Sequence, residues 1–132
     1  MRVLFVCIEN SCRSQMAEGF ANQLGVEGVE AYSAGSEPSG IVNPFAIKAM
    51  HELGYDMRSH ESKSLDDIPD LEFDYAISLG CGDECPMVKA RMHIDWDIPD
   101  PRGMGIDEFR RVRDMIRERV QRLLVAPRVL AD

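Results

Sequence analysis

Cys7 and Arg13 bracket five residues in Cys7-Ile8-Glu9-Asn10-Ser11-Cys12-Arg13-Ser14, which follows an apolar run and opens an amphipathic one. A thiol and a guanidinium on a strand-to-helix loop suit one chemistry in particular, attack on a bound tetrahedral oxyanion. Such a loop turns successive backbone N–H groups inward, and the helix N-terminus adds the positive end of its dipole. A free cysteine of pKa near 8.5 is only about 3% thiolate at neutral pH. A helix start and a neighbouring arginine bring such thiols to roughly 3.5–7.5. The planar fork of Arg13 can grip two oxygens of the anion, and Ser14 is placed to donate a hydrogen bond to the sulfur. Ile8, Glu9, Asn10, Ser11 and Cys12 supply the cradle. Strand, loop and helix fall in register, which favours a catalytic site over a buried cysteine beside a surface arginine.

The elements that must hold this loop alternate along the chain. Arg2–Cys7 is a continuous apolar run, the mark of a strand buried on both faces. Ser14–Leu24 is predicted as a helix, with Met16, Ala17, Phe20, Ala21 and Leu24 on one stripe and Gly25 as its stop. Val29–Ser33 is predicted as a second strand, ended by Ala34-Gly35. Asn43-Pro44 caps a second helix carrying Ala46, Ala49, Met50 and Leu53 inward and ending at Gly54. Phe73–Leu79 and Met92–Asp95 are the third and fourth strands. Ile106–Leu124 is the longest helix, with Phe109, Val112, Ile116, Val120 and Leu123 at helical spacing. The expected fold is α/β, an open four-stranded parallel sheet with helices on both faces, in one domain spanning residues 1–132. Ligands of such sheets bind outside the carboxyl ends of the strands. Cys7–Arg13 and Cys81–Cys85 both follow strand ends, so both belong at that edge.

Composition narrows the partners. Fifteen Lys and Arg against 23 Asp and Glu give a net charge of −8. That argues against a nucleic-acid partner and leaves an anionic substrate to be held by local positive potential. No apolar run approaches the roughly 20 residues of a membrane span, so a cytoplasmic protein is expected. Four cysteines in a reducing compartment point to redox or metal chemistry rather than structural disulfides. Cys7, Cys12, Cys81 and Cys85, or three of them with His93, form the alternative of a zinc site. Cys7, at the end of an apolar strand, is a poor knuckle residue. His51, His60 and His93 are read as surface or supporting residues. The charge-rich last helix, with Asp107–Arg111 and Glu118–Arg122 four apart, is read as a solvated face.

The segment VLFVCIENSCRSQMAEGFA closely resembles the Cys-x5-Arg-Ser phosphate loop of the low-molecular-weight protein tyrosine phosphatase superfamily. Tyr32–Gly35 (YSAG), Asn43-Pro44 with Ala46, and Asp100-Pro101 extend the resemblance over nearly the whole chain. Cys-x5-Arg alone is shared with unrelated phosphatases, whereas Cys12-Arg13-Ser14 near the amino end with a late Asp-Pro is far more specific. Within the superfamily, SCRSQMAEG and Cys81…Cys85-Pro86 look like the thioredoxin-coupled arsenate reductases. The resemblance implies a flavodoxin-like fold, no cofactor and no metal. It also implies Asp100 as the acid that protonates the departing oxygen. Arsenate is the implied substrate, thioredoxin or another thiol the reductant, and a monomer the working form.

By that resemblance, Cys81 resolves a Cys7 adduct as a Cys7–Cys81 disulfide, and Cys85 then takes over the oxidation as Cys81–Cys85. A tyrosine phosphatase using Cys7, Arg13 and Asp100 is the alternative. Two departures bear on the choice. The family's tyrosine phosphatases carry an aromatic residue after Asp-Pro, where this chain has Arg102. The thioredoxin-coupled members usually place six residues between the last two cysteines, and here there are three. Residues four apart on a helix keep their Cβ atoms about 5–6 Å apart, too far for a disulfide's roughly 3.5–4.5 Å. Gly80 and Gly82 are the sources of the freedom required. Some relatives also hold potassium behind the loop, on residues resembling Asn10, Glu18 and Ser33. The acidic residue completing that site aligns with Lys63, whose ammonium is expected to replace the ion, pairing with Glu18 and steadying Asn10.

Overall fold

RVLFVC forms β1 (Arg2–Cys7), buried from Val3 onward. The computed structural model describes residues 1–80 and 88–125. β1 lies inside a four-stranded sheet of order β2-β1-β3-β4, with β2 at Glu30–Gly35, β3 at Phe73–Leu79 and β4 at Ala90–Trp96. Every pair is parallel. An inner strand covered on both faces has no solvent side, which is why β1 reads as an unbroken apolar run.

Three helices share one face: α1 (Arg13–Leu24), α2 (Pro44–His51) and α3 (Ile106–Leu124). Val3, Phe5 and Ile77 of the sheet meet Met16, Met50, Phe109 and Ile116 there in one core. The opposite face buries Leu4, Val6, Ala34 and Phe73 beneath Tyr32, Leu65 and Ile68, and among the described residues it carries the 3-10 turn at Leu65–Asp67 in place of the helix expected on that side. α1 stops at Gly25, whose φ of 57° ends the helix in the left-handed region. Asn43 caps α2 by accepting from the Phe45 N–H at 2.9 Å, with Pro44 in the first turn. No helix among the described residues is long and apolar enough to cross a membrane.

Several boundaries differ from the sequence expectation for tertiary reasons. β2 does not end at Ser33 but continues through Ala34-Gly35, because Gly35 pairs with Cys7 and donates its N–H to Lys63 O at 2.8 Å. β4 is longer than Met92–Asp95, because Phe73 and Leu79 of β3 reach partners at Ala90 and Trp96. α2 ends at His51, three residues before Gly54. Leu124 rather than Leu123 completes the buried stripe of α3. Glu118–Arg122 pairs as expected, but Asp107 takes Arg110 and Glu108 takes Arg111, both at i,i+3.

One arginine of α3 leaves the solvated face altogether. Arg113 is 8% exposed and donates to Ala49 O and to Glu52, both at 2.9 Å. Glu52 also takes a forked pair of bonds from Arg110 at 3.0 and 2.7 Å. The Arg110 hydrogen bonds first, and those of Arg113 after them, hold the Glu52 carboxyl down from 4.5 to about 2. A carboxylate depressed in the folded state adds stability above its unfolded pKa and loses it as pH falls through the folded one. Glu52→Gln therefore lowers the urea midpoint at pH 7. The gap to the parent closes between about pH 4.5 and 2. An unchanged gap at pH 2 would show that the α2–α3 clamp does not depend on that charge.

Candidate active site

Cys7 closes β1 at the carboxyl edge of the sheet, with its sulfur 2.8 Å from Ser14 Oγ in the first turn of α1. Ser14 Oγ accepts from Asn10 Nδ2 at 2.8 Å. Asn10 Oδ1 in turn accepts from the Lys63 N–H and from Gln15 Nε2, both at 2.8 Å. Two donors on that oxygen fix which way the Asn10 amide faces, and its NH2 must point to Ser14. The Ser14 hydroxyl hydrogen is then free for the sulfur, and it is the only donor between the two once Cys7 is ionised. Behind Gln15, Oε1 meets His60 Nδ1 at 2.9 Å, and His60 Nε2 meets Tyr55 OH at 2.7 Å. Burial lowers the His60 pKa more than Glu18 raises it. The neutral ring then carries its proton on Nδ1, where its neighbours are acceptors. Every bond from Tyr55 to Ser14 thus runs donor to acceptor toward Cys7, and such chains polarise one another in the same sense.

The loop itself is bent where Asn10 takes φ 50°, a left-handed conformation that asparagine tolerates better than most residues. No side chain caps the start of α1 at Cys12. Arg13 is 6% exposed and donates from Nη1 to Ile98 O at 2.9 Å, while its Nη2 lies 3.7 Å from Asp100 Oδ2. Two glycines make room. A Cβ on Gly35 would come 2.5 Å from Ile8 O and 2.9 Å from Asn10 N, inside the loop backbone. Gly80 sits at φ 75°, and a Cβ there would stand 2.2 Å from Arg13 Nη1 and 2.6 Å from Ile98 O.

A thiol at a strand end, an arginine fork and an acid on the facing turn thus meet around one loop. The comparisons agree with that arrangement. The family described as low molecular weight phosphotyrosine protein phosphatase matches residues 2–131. This chain belongs to it. A relative from Synechocystis sp. named "Glutaredoxin arsenate reductase" is 42% identical over 93% of this chain and 95% of its own. One from Staphylococcus aureus named "Arsenate reductase" is 41% identical over 87% of this chain and 89% of its own. A solved structure titled "An arsenate reductase in the phosphate binding state" superposes with a TM-score of 0.85 at 41% identity, covering 95% of this chain and 97% of that one.

The anion loop of this phosphatase-family chain holds a second cysteine, Cys12. Cys12 is buried, and its thiol is pushed up to about 12, chiefly by that burial and then by Asp100. A thiol so held stays protonated at neutral pH. Asp100 also accepts the Arg102 N–H at 3.0 Å, so it shapes its Pro-rich turn as well as facing Arg13. Arg102 extends from that turn to form an ion pair with Glu9 in the loop. Glu9 pushes the Arg102 pKa up.

The structure brings together Cys7, Arg13, Ser14, Asp100 and the loop Ile8–Cys12. Cys81 and Cys85 lie outside the described residues. Behind the loop, Lys63 Nζ is 3.9 Å from Glu18 and donates to Glu61 O at 3.1 Å. The expectation that its ammonium steadies Asn10 is corrected, since the Lys63 backbone N–H does so. Ser33 Oγ is buried without a hydrogen-bond partner among the described residues. His93 bonds to Val88 O at 2.7 Å, and no metal-holding group of His, Cys, Asp or Glu occurs among the described residues. Gln15, Ile98 and the two glycines were not legible as site residues. Gln15 looks like any polar helix residue, and a carbonyl such as that of Ile98 leaves no side-chain signature. Gly35 is legible as a strand stop and as part of YSAG, and Gly80 as a source of freedom for the cysteine pair, neither as room for the loop or for Arg13.

Proposed function

We propose that the chain is an arsenate reductase that converts arsenate to arsenite through three of its own thiols. The observation that carries the reading is a Cys7-x5-Arg13 anion loop faced by Asp100, in a chain about 40% identical over most of its length to proteins named arsenate reductase. Arg102 in place of the aromatic residue that walls phenolic substrates favours it over the phosphatase alternative.

In the first step the Cys7 thiolate attacks arsenic(V) in the loop. One arsenate oxygen departs as water after taking the Asp100 proton, leaving a sulfur–arsenic(V) bond. Arg13 and the loop amides balance the negative charge. In the second step Cys81 as thiolate attacks Cys7 Sγ. A sulfur–sulfur bond forms, and the sulfur–arsenic pair moves onto arsenic, which leaves as arsenite, reduced by two electrons. Phosphorus(V) does not accept that pair, so a resolving thiol serves arsenate alone. In the third step Cys85 attacks Cys81, Cys7 leaves as thiolate, and the Cys81–Cys85 disulfide passes to an external dithiol, which is oxidised in its place.

Thioredoxin is the donor this reading favours, with glutaredoxin and glutathione the other source. A cytoplasmic, monomeric, single-domain enzyme without cofactor completes the proposal. The test follows arsenate-dependent NADPH oxidation with each donor system alongside hydrolysis of an aryl phosphate. Strong aryl phosphate turnover with no arsenate-dependent oxidation would sink the reductase reading.

Lys63 enters as the positive charge beside Glu18 that, by the resemblance, some relatives obtain from potassium. Its side chain is 26% exposed and its ammonium 3.9 Å from that carboxylate, so the charge is partly screened. Wild-type activity is therefore expected to be indifferent to exchange of potassium for sodium. Lys63→Ala should lose activity several-fold, since its backbone bond to Asn10 survives, and added potassium should restore part of it. Wild-type dependence on potassium would refute the substitution.

A further inference from the structure

We infer that the Glu9–Arg102 ion pair is a latch that selects the small inorganic anion by the size of its leaving group. The inference rests on Cys7–Arg13 being the anion loop. Glu9 belongs to that loop, and its backbone is fixed from behind, its carbonyl accepting from the Ser39 N–H at 3.1 Å and from Ser62 Oγ at 3.0 Å. Its side chain reaches instead toward the facing turn and pairs with Arg102. Arg102 is anchored in its turn by the bond from its own N–H to Asp100 Oδ1 at 3.0 Å. The pair therefore joins the two walls of the site directly beside the carboxyl that serves the departing oxygen.

That position decides which substrates pass. In-line attack by Cys7 sends the leaving oxygen toward Asp100. For arsenate it carries only hydrogen. For a phosphate ester it carries the whole alcohol, which must occupy the space between Asp100 and the loop edge that the pair crosses. Arg102 and Glu9 are 56% and 33% exposed, so the pair is solvent-screened and opens at modest cost. It is a latch that biases selection rather than a weld that fixes the fold.

A double-mutant cycle reads this directly. Glu9→Gln, Arg102→Ala and the double variant are compared with wild type in kcat/KM for p-nitrophenyl phosphate. Phosphate and arsenate binding are measured as protection of Cys7 from iodoacetamide. The latch predicts that each single variant raises aryl phosphate kcat/KM about three- to tenfold, and that the double variant adds little to either. Inorganic anion binding is the reference, and ester kcat/KM should rise relative to it in both single variants. Opposite effects of the two single variants would overturn the latch and make Arg102 an independent anion-attracting charge. Unchanged ester hydrolysis in both would overturn it too. Both readouts concern only the Cys7 adduct, so they judge the latch whether or not arsenate is later reduced. The reductase reading fails separately, on absence of arsenate-dependent thiol oxidation in wild type.

Discussion

Cys7→Ser should abolish both arsenate reduction and aryl phosphate hydrolysis, a loss on the order of 10⁴-fold or more. A serine hydroxyl is not ionised under the conditions that ionise a thiol, and no other described nucleophile is equipped to replace it. Cys12 shares the loop but is held protonated at about 12. Cys81→Ser and Cys85→Ser should separate the two activities. Cys81→Ser stops arsenate turnover before any arsenite leaves and Cys85→Ser after one release, while slow ester hydrolysis, which needs only Cys7, Arg13 and Asp100, continues. Intact mass after one arsenate cycle distinguishes the variants. Cys85→Ser should accumulate a form lacking two hydrogens, the Cys7–Cys81 disulfide, and Cys81→Ser should not. Normal turnover of Cys85→Ser with thioredoxin would remove the third thiol from the relay and leave a two-cysteine scheme.

The parts of this site that were legible in the sequence are those whose chemistry is written in a side chain at fixed spacing. Cys7, Arg13 and Ser14 follow from the loop, and the inward stripes of α1 and α3 follow from period. β1, β3 and α3 also begin and end where the apolar patterns do. What pattern does not encode is geometry imposed by a distant neighbour. The continuation of β2 to Gly35 depends on pairing with Cys7 and on the Lys63 carbonyl. The burial of Arg113, in a helix whose charges otherwise mix with solvent, depends on Glu52 and Ala49, about sixty residues away. The Tyr55–His60–Gln15–Asn10 chain joins three separate segments through ordinary polar residues. The Glu9–Arg102 pair likewise joins a loop and a turn that only the folded sheet edge brings together.

Gly35→Ala should cost about 100-fold in kcat/KM for arsenate and for aryl phosphate alike. The substitution leaves the backbone angles of β2 admissible, since Gly35 is not among the residues of positive φ. The damage is steric and local. The new methyl would stand 2.5 Å from Ile8 O, 2.9 Å from Asn10 N and 3.0 Å from the Glu9 carbonyl carbon. All three are backbone atoms, so no side chain can swing aside to absorb the clash. Either the loop lifts off the sheet edge or β2 slides away from Cys7, and the pairing of Cys7 with Gly35 resists the second. A lifted loop misplaces the amides around the anion and moves Asn10 away from Ser14, which weakens the bond to Cys7 as well. Because both reactions begin with the same attack, both fall together, unlike the separation expected for Cys85→Ser. Phosphate protection of Cys7 against alkylation should weaken in parallel. Overpacking of this kind costs about 1–3 kcal/mol, so the variant should still be folded when measured at room temperature. A folded Gly35→Ala protein with wild-type phosphate protection and kcat/KM would show that the loop's shape does not depend on that close approach.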